Sequence, residues 1–304
     1  MRTTPTTDPL RRALSAAAAA GLLAVALTSC ASPAGSPHQG HNHGHATAGQ
    51  DTAGHDMAGH GMAGHDTTGT AGAAAGSGLA AERNGYRLAG ALAGSEYRFR
   101  ITGPDGAPVT AYVPEQTEQL HFYAIRSDLT GFQHLHPELG PDGTWRAALE
   151  PLAAGDWRLY ASFTPDSGPG KGGALVLGEQ VTVPGAASPV PLPAAAGSAT
   201  VDGYTVTVDG GAPKGGELGL TVTRDGQPVT DLQPYLGTFG HLTAFHAGDL
   251  AFAHLHPEGA AADGGGGPSL RFHAELPAAG DWRLFVQFRT GGTLHTAALT
   301  LRTG

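Results

Sequence analysis

Beyond about residue 83, apolar and polar side chains alternate over short runs, and glycine, proline or aspartate interrupts each run. "EYRFRI" (Glu96 to Ile101), "LHFYAI" (Leu120 to Ile125), "GFQHLHP" (Gly131 to Pro137) and "WRLYASF" (Trp157 to Phe163) follow one another in this way. After a proline-rich break come "LGLTVT", "HLTAF", "AFAHLHP", "WRLFVQF" and "TLHTAALTL". A period of two predicts half-buried strands, and many short strands between turn residues predict antiparallel sandwiches. The expectation is all-β: two tandem immunoglobulin-like or cupredoxin-like sandwich domains. Trp157 and Trp282, each just after a Gly-Asp turn, are read as core anchors.

The two halves are copies. "DGAPVT" at Asp105 matches "DGQPVT" at Asp225, "HFYAIR" at His121 matches "HLTAFH" at His241, and "HLHPE" at His134 recurs at His254, all at an offset of 120. After a longer loop in the second copy, "AAGDWRLYASF" at Ala153 matches "AAGDWRLFVQF" at Ala278. A unit of this length is a duplicated domain rather than a solenoid repeat. The boundaries read as a signal segment over 1–29, a His/Met/Gly-rich tether predicted to be disordered over 30–82, a first sandwich over 83–183, a Pro/Ala linker over 184–199 and a second sandwich over 200–304.

The first 29 residues carry Arg11 and Arg12, an apolar run and then "LTSC", the layout of a secretory signal. The run is too short to span a bilayer. Cys30 is the chain's one cysteine and stands where a bacterial lipoprotein receives its diacylglycerol, so Cys30 is the expected lipidation site and disulfides are excluded. The expected location is the cell membrane, anchored by lipid on the extracytoplasmic face. Without the segment before Cys30 the chain keeps 14 basic against 25 acidic residues, which excludes a nucleic-acid backbone as partner.

Histidine is the residue that changes the picture. The tether lacks large apolar side chains and cannot offset its own ordering entropy. It carries His38, His41, His43 and His45, then His55, His60 and His65 interleaved with Met57 and Met62. In the first sandwich, a hairpin centred between Asp128 and Leu129 sets His121 opposite His136, with His134 diagonal to it on the same face. In the second, His241 lies opposite His256 with His254 alongside, and His295 on the last strand is a fourth candidate ligand. The first-copy residue aligned with His295 is Val176, so that copy offers three. His246 falls on the opposite face. Phe245, Phe252, Ile125 and Phe132 share the histidine face, so the same face also reads as core with structural histidines.

Imidazoles about 5 Å apart across a hairpin suit a transition metal held at about 2 Å. Thioethers in the tether favour copper, with zinc behind it. Blue-copper electron transfer is excluded because the one cysteine is committed to lipid. No nucleophile elbow, phosphate loop or HExxH occurs, so the expectation is a non-enzymatic protein that sequesters or delivers the metal. A copper-dependent oxidase is a weaker third reading. The alternative is an interaction or scaffold module for another envelope protein, with structural histidines.

The stretch "DLQPYLGTFGHLTAFHAGDLAFAHLHPE" (Asp231 to Glu258), with "GGTLHTAALTL" near the end, resembles a family of secreted or lipid-anchored actinobacterial β-sandwich proteins described as heavy-metal-binding or copper-associated. The resemblance covers the second copy well and the first loosely. It implies a β-sandwich outside the cytoplasm with shared positions at His241, His254, His256 and His295.

Overall fold

In the computed structural model, residues 75–304 are described, apart from 215 and 262–264. They are all-β and antiparallel. The first copy contains β1 (Glu82–Arg83), β2 (Tyr86–Ala93), β3 (Glu96–Thr102), β4 (Tyr112–Val113) and β5 (Leu120–Arg126). It continues through β6 (Gln133–Leu135), β7 (Glu138–Leu139), β8 (Thr144–Ala148), β9 (Gly155–Pro165) and β10 (Leu175–Val183). The second copy begins with β11 (Ser198–Val201), β12 (Tyr204–Lys214), β13 (Glu217–Arg224), β14 (Gln227–Pro228) and β15 (Gly240–His246). It ends with β16 (Phe252–Pro257), β17 (Ser269–His273), β18 (Gly280–Thr290) and β19 (Thr293–Thr303).

The first copy is a sandwich of two sheets, β1-β2-β3-β8-β7 and β10-β9-β5-β6, with β4 on β9. The second runs as one sheet, β11-β12-β13-β17-β16-β15-β18-β19, with β14 on β13. Its ends approach each other, since Ala196 N–H donates to Thr300 O at 3.0 Å, so this copy is close to a barrel. The difference starts at the histidine hairpin. β16 continues through His256 and Pro257 to pair with His273 and Phe272 of β17, whereas β6 stops at Leu135. That break leaves a cleft of about 250 Å³ in the first copy, with His136, Glu138 and Glu96 among its lining residues.

Alternation explains the packing. Inward positions of the first copy, among them Tyr97, Phe99, Phe122, Trp145 and Leu159, form one core. Val206, Leu220, Leu242, Trp282 and Phe288 belong to the corresponding core of the second. Trp157 and Trp282 are buried, and each indole N–H donates to the carbonyl four residues earlier, Ala153 at 2.8 Å and Ala278 at 2.9 Å. Gly131 sits at φ +68° with its α-carbon against the Trp157 ring, where a β-carbon would come within 2.3 Å.

A third cluster joins the two copies. The opposite faces of β5, β9 and β10 bring Tyr123, Ile125, Tyr160 and Val176 against Phe245, Phe252 and Phe285. The contacts obey a pseudo-twofold axis. Phe132 stacks on Phe285 with centroids 4.2 Å apart, and the matching pair, Phe252 and Tyr160, lies at 5.5 Å. Self-complementary exchange of this kind defines an isologous interface, here within one chain. The seam also binds residues 77–80, which composition had placed in the tether. Phe252 N–H donates to Ser77 O, Arg158 to Leu79 O and Gly178 N–H to Ala80 O.

Phe245 is fully buried in the seam, with four aromatic rings within 6.0 Å of its own. Phe245→Ala is expected to lower the unfolding free energy by about 3–5 kcal/mol. Leu294→Ala, at an exposed position, should change it by less than about 0.5 kcal/mol. Urea denaturation of the two variants checks this.

Candidate metal centre

The histidine hairpins have the expected register. β5 pairs with β6 through Phe122↔Leu135, Tyr123↔His134 and Ala124↔Gln133. β15 pairs with β16 through Leu242↔Leu255 and Thr243↔His254. His121, Tyr123 and Ile125 therefore share a face with His134, and that face is the seam. Among the described side chains, the cluster that forms is not confined to one copy: His121 and His134 of the first meet His241 of the second.

His121 (1% exposed), the half-buried His134 and His241 (0%) meet across the seam, and one ring nitrogen of each lies within 4.8 Å of the others. Ring centroids are 5.3 Å apart for His121 and His134, 4.5 Å for His134 and His241, and 5.6 Å for His121 and His241. The planes lie within 27° of parallel, so an ion bound in plane by all three asks for a turn about Cβ–Cγ, a soft sp³–sp² torsion. This buried cluster can hold a metal ion.

Hydrogen bonds on the outer side set the tautomers. His121 Nε2–H donates to the carbonyl of Glu115 at 3.0 Å. His134 Nδ1–H donates to Gln287 Oε1 at 2.7 Å, and Gln287 is oriented by its own Nε2–H to Thr296 Oγ1 at 3.4 Å. His241 Nδ1–H donates to Gln116 Oε1 at 2.6 Å. A neutral imidazole has one N–H, so each inner nitrogen is an acceptor. His121 Nδ1 and His134 Nε2 then face each other at 3.0 Å, and His241 Nε2 takes the Tyr123 hydroxyl at 3.2 Å. Two acceptors at that distance repel unless a cation lies between them, and outer acceptors that fix the tautomer are the usual support of imidazole ligands.

His136 stands beside the cluster, 5.1 Å from His121 and 4.8 Å from His134 by ring centroids. Its Nε2 is buried and has no hydrogen-bond partner among the described residues. An orphaned nitrogen of this kind calls for an ion or a water. Burial pushes His121, His136 and His256 below the ordinary imidazole pKa and Tyr123 well above the ordinary phenol value.

The other expected residues lie elsewhere. The backbone of His254 pairs with Thr243 as His134 pairs with Tyr123, but its side chain is not among those described. His256 pairs with His273 at the edge toward β17. His246 is on the opposite face, on Trp282, bonded to Asp249 at 2.8 Å. His38, His41, His43, His45, His55, Met57, His60, Met62, His65 and Cys30 lie outside the described residues.

His295 does not join the cluster. It pairs with Phe288 while His241 pairs with Gln287, and consecutive positions on β18 point to opposite faces. His295 is therefore in the core of the second copy. Its Nδ1–H donates to Asp202 at 2.8 Å, and its Nε2 meets Thr290 Oγ1 at 3.0 Å, which is 2.7 Å from the Tyr204 hydroxyl. Both nitrogens are engaged. Its counterpart in the first copy is not Val176 but Leu175, which pairs with Phe163 as His295 pairs with Phe288. Unequal β-turns hid this: nine residues separate β9 from β10 and two separate β18 from β19.

Three participants escaped the sequence reading. Tyr123 had a signal, standing two positions after His121 on the same face. Gln287 had a weaker one, as the polar residue after Phe285 on that side of β18. Gln116 sits in the loop before β5 with a left-handed backbone, φ +45°, and its pattern offered nothing.

Residues 199–304 match a domain family described only as a domain of unknown function (DUF8832). No curated protein sequence matches the chain.

His295→Leu, which copies the solution of the first half, is expected to cost about 1 kcal/mol of stability and leave metal binding unchanged. Urea denaturation and metal titration of that variant read both. In the metal-free protein, His121, His136 and His256 resist protonation when folded, while the unfolded chain titrates near 6.5. Their contribution is intact above about pH 6.5 and is lost as pH falls below it, because the unfolded state then binds more protons. Unfolding free energy should decline between about pH 7.5 and pH 5.5. A flat or rising profile over that interval contradicts the assignment.

Proposed function

We propose that this protein is a non-enzymatic, lipid-anchored protein of the extracytoplasmic membrane face that binds copper, ahead of zinc, for sequestration or delivery. The observation that carries the metal reading is the convergence of three inner imidazole nitrogens, each made an acceptor by an oxygen on its far side. The donor set has no thiolate, in keeping with a chain whose one cysteine stands at the expected lipid site. Imidazole suits both copper and zinc, and the Met57 and Met62 thioethers among the tether histidines favour copper. In this reading the tether collects ions at low selectivity and the seam retains one. The membrane anchor rests on Cys30 and the segment before it, and the resemblance to actinobacterial copper-associated lipoproteins agrees with that placement.

The test compares the full chain with a His134→Ala/His241→Ala variant, so that tether binding is common to both. The variant is expected to hold about one equivalent of copper less than the wild type in equilibrium dialysis. Equal uptake by a variant with unchanged near-UV circular dichroism makes the histidines structural, and the envelope interaction module then replaces this reading. In parallel, Cys30→Ala should move the protein out of the membrane fraction.

A further inference from the structure

We infer that the His121–His134–His241 centre is built for a monovalent ion, so that the copper it takes is Cu(I). This rests on the metal reading above and specifies the oxidation state of the cargo.

The first argument is charge. Ligand imidazoles bring none, and no carboxylate or thiolate belongs to the group of converging donor atoms. The acids nearest in sequence, Glu115 and Glu118, lie in the loop before β5. Glu115 turns its carboxylate to the Thr164 hydroxyl at 2.8 Å and offers His121 its backbone carbonyl. Both carboxylates act on His121 through space without joining the donor group, and the rings packed on the cluster are aromatic. Tyr123 lies 4.5 Å from His134, and Phe252 5.0 Å from Tyr123. Tyr235 meets His134 and His241 edge-on, and the Arg289 guanidinium lies over the Tyr235 ring, 5.4 Å from its centroid. Burying an ion in such surroundings has a penalty that grows with the square of its charge, so a dication loses about four times what a monocation of the same size loses.

The second argument is coordination number. Zn(II) asks for four ligands in a tetrahedron, and Cu(II) for a tetragonal set of nitrogen and oxygen donors. Three donors meet here, with His121 and His241 closed to solvent, while the orphaned His136 nitrogen beside them falls outside the group of mutually close ligand atoms. A d¹⁰ monovalent ion is satisfied by three nitrogens. Both arguments select the same species, and neither depends on the tether methionines.

The test titrates the full chain with Cu(I) under anaerobic conditions against a chromophoric Cu(I) chelator, and with Zn(II) and Cu(II) against their own indicators. His134→Gln, His241→Gln and Gln116→Leu are measured beside the wild type, and the tether contribution cancels in the differences. Cu(I) affinity is expected to fall about a hundredfold in the histidine variants and about tenfold in Gln116→Leu, which only releases the His241 ring. Zn(II) and Cu(II) affinities should change by less than about threefold, their remaining sites being in the tether. Divalent affinities that fall as far as that of Cu(I) overturn the oxidation-state assignment and leave the metal centre standing. If no ion's affinity changes in variants whose near-UV circular dichroism matches the wild type, the metal centre fails and this inference with it. Should the histidine variants not fold, Gln116→Leu decides by the same comparison.

Discussion

Each copy of the repeat has a sheet face that cannot be left in water. Tyr123, Ile125, Tyr160 and Val176 on one side, and Phe245, Phe252 and Phe285 on the other, are buried because the two faces cover each other. Everything distinctive about the molecule follows from that pairing. A sandwich ordinarily hides one face of each sheet and leaves the other in solvent. Here β5 and β15 are buried on both faces, as are the stretches of β9 and β18 beside them, 159–165 and 284–288. The apolar run around "HFYAI" is then no longer a half-buried strand but a central one, and the histidines that punctuate it are taken out of water with the rest.

Putting imidazoles into such a seam raises a polar accounting problem. Each ring has two nitrogens, and each buried nitrogen needs a partner. The outer nitrogens find Glu115 O, Gln287 Oε1 and Gln116 Oε1. Of the inner ones, His241 Nε2 takes the Tyr123 hydroxyl, while His121 Nδ1 and His134 Nε2 face each other as two acceptors that a cation would reconcile. Had the purpose been stability alone, apolar side chains of similar volume would fill the seam at less cost. The outer acceptors instead aim the inner nitrogens at a common point, which is the preorganisation that a ligand set requires.

The pattern of the chain carried more of the fold than of the site. The strands, the Trp157 and Trp282 anchors and the hairpin register were legible because period-two alternation and a two-way comparison between copies constrain them strongly. Placing His121 opposite His136 followed from where the turn is centred, and no tertiary knowledge was needed. What alternation cannot say is what covers a face. Reading each copy by itself led to two sites, and to His295 as a ligand for the second, because an alignment across turns of unequal length shifted β19 by one residue. In a strand, one residue is the difference between the two faces. Gln116 was beyond reach for another reason: its role depends on the contact between copies, which no local pattern encodes.

The duplication also explains why the support of this centre is one-sided. A perfect twofold would repeat every contact, so His121, His134 and His241 would have an equal counterpart set. The copies have diverged at the supporting positions. Gln116 corresponds to Leu236, Gln287 to Ser162 and Tyr123 to Thr243. The acceptors that orient His134 and His241, and the hydroxyl that meets His241, are thus present on one side of the pseudo-axis and replaced on the other. His121 and His241 are themselves the pair that the axis exchanges, and their rings face each other at 5.6 Å. An ion bound there touches both copies, so its affinity depends on the seam being closed, and neither copy alone can supply the ligand set. The repeated histidines therefore work as one composite group, whose two halves are brought together by the apolar faces around them.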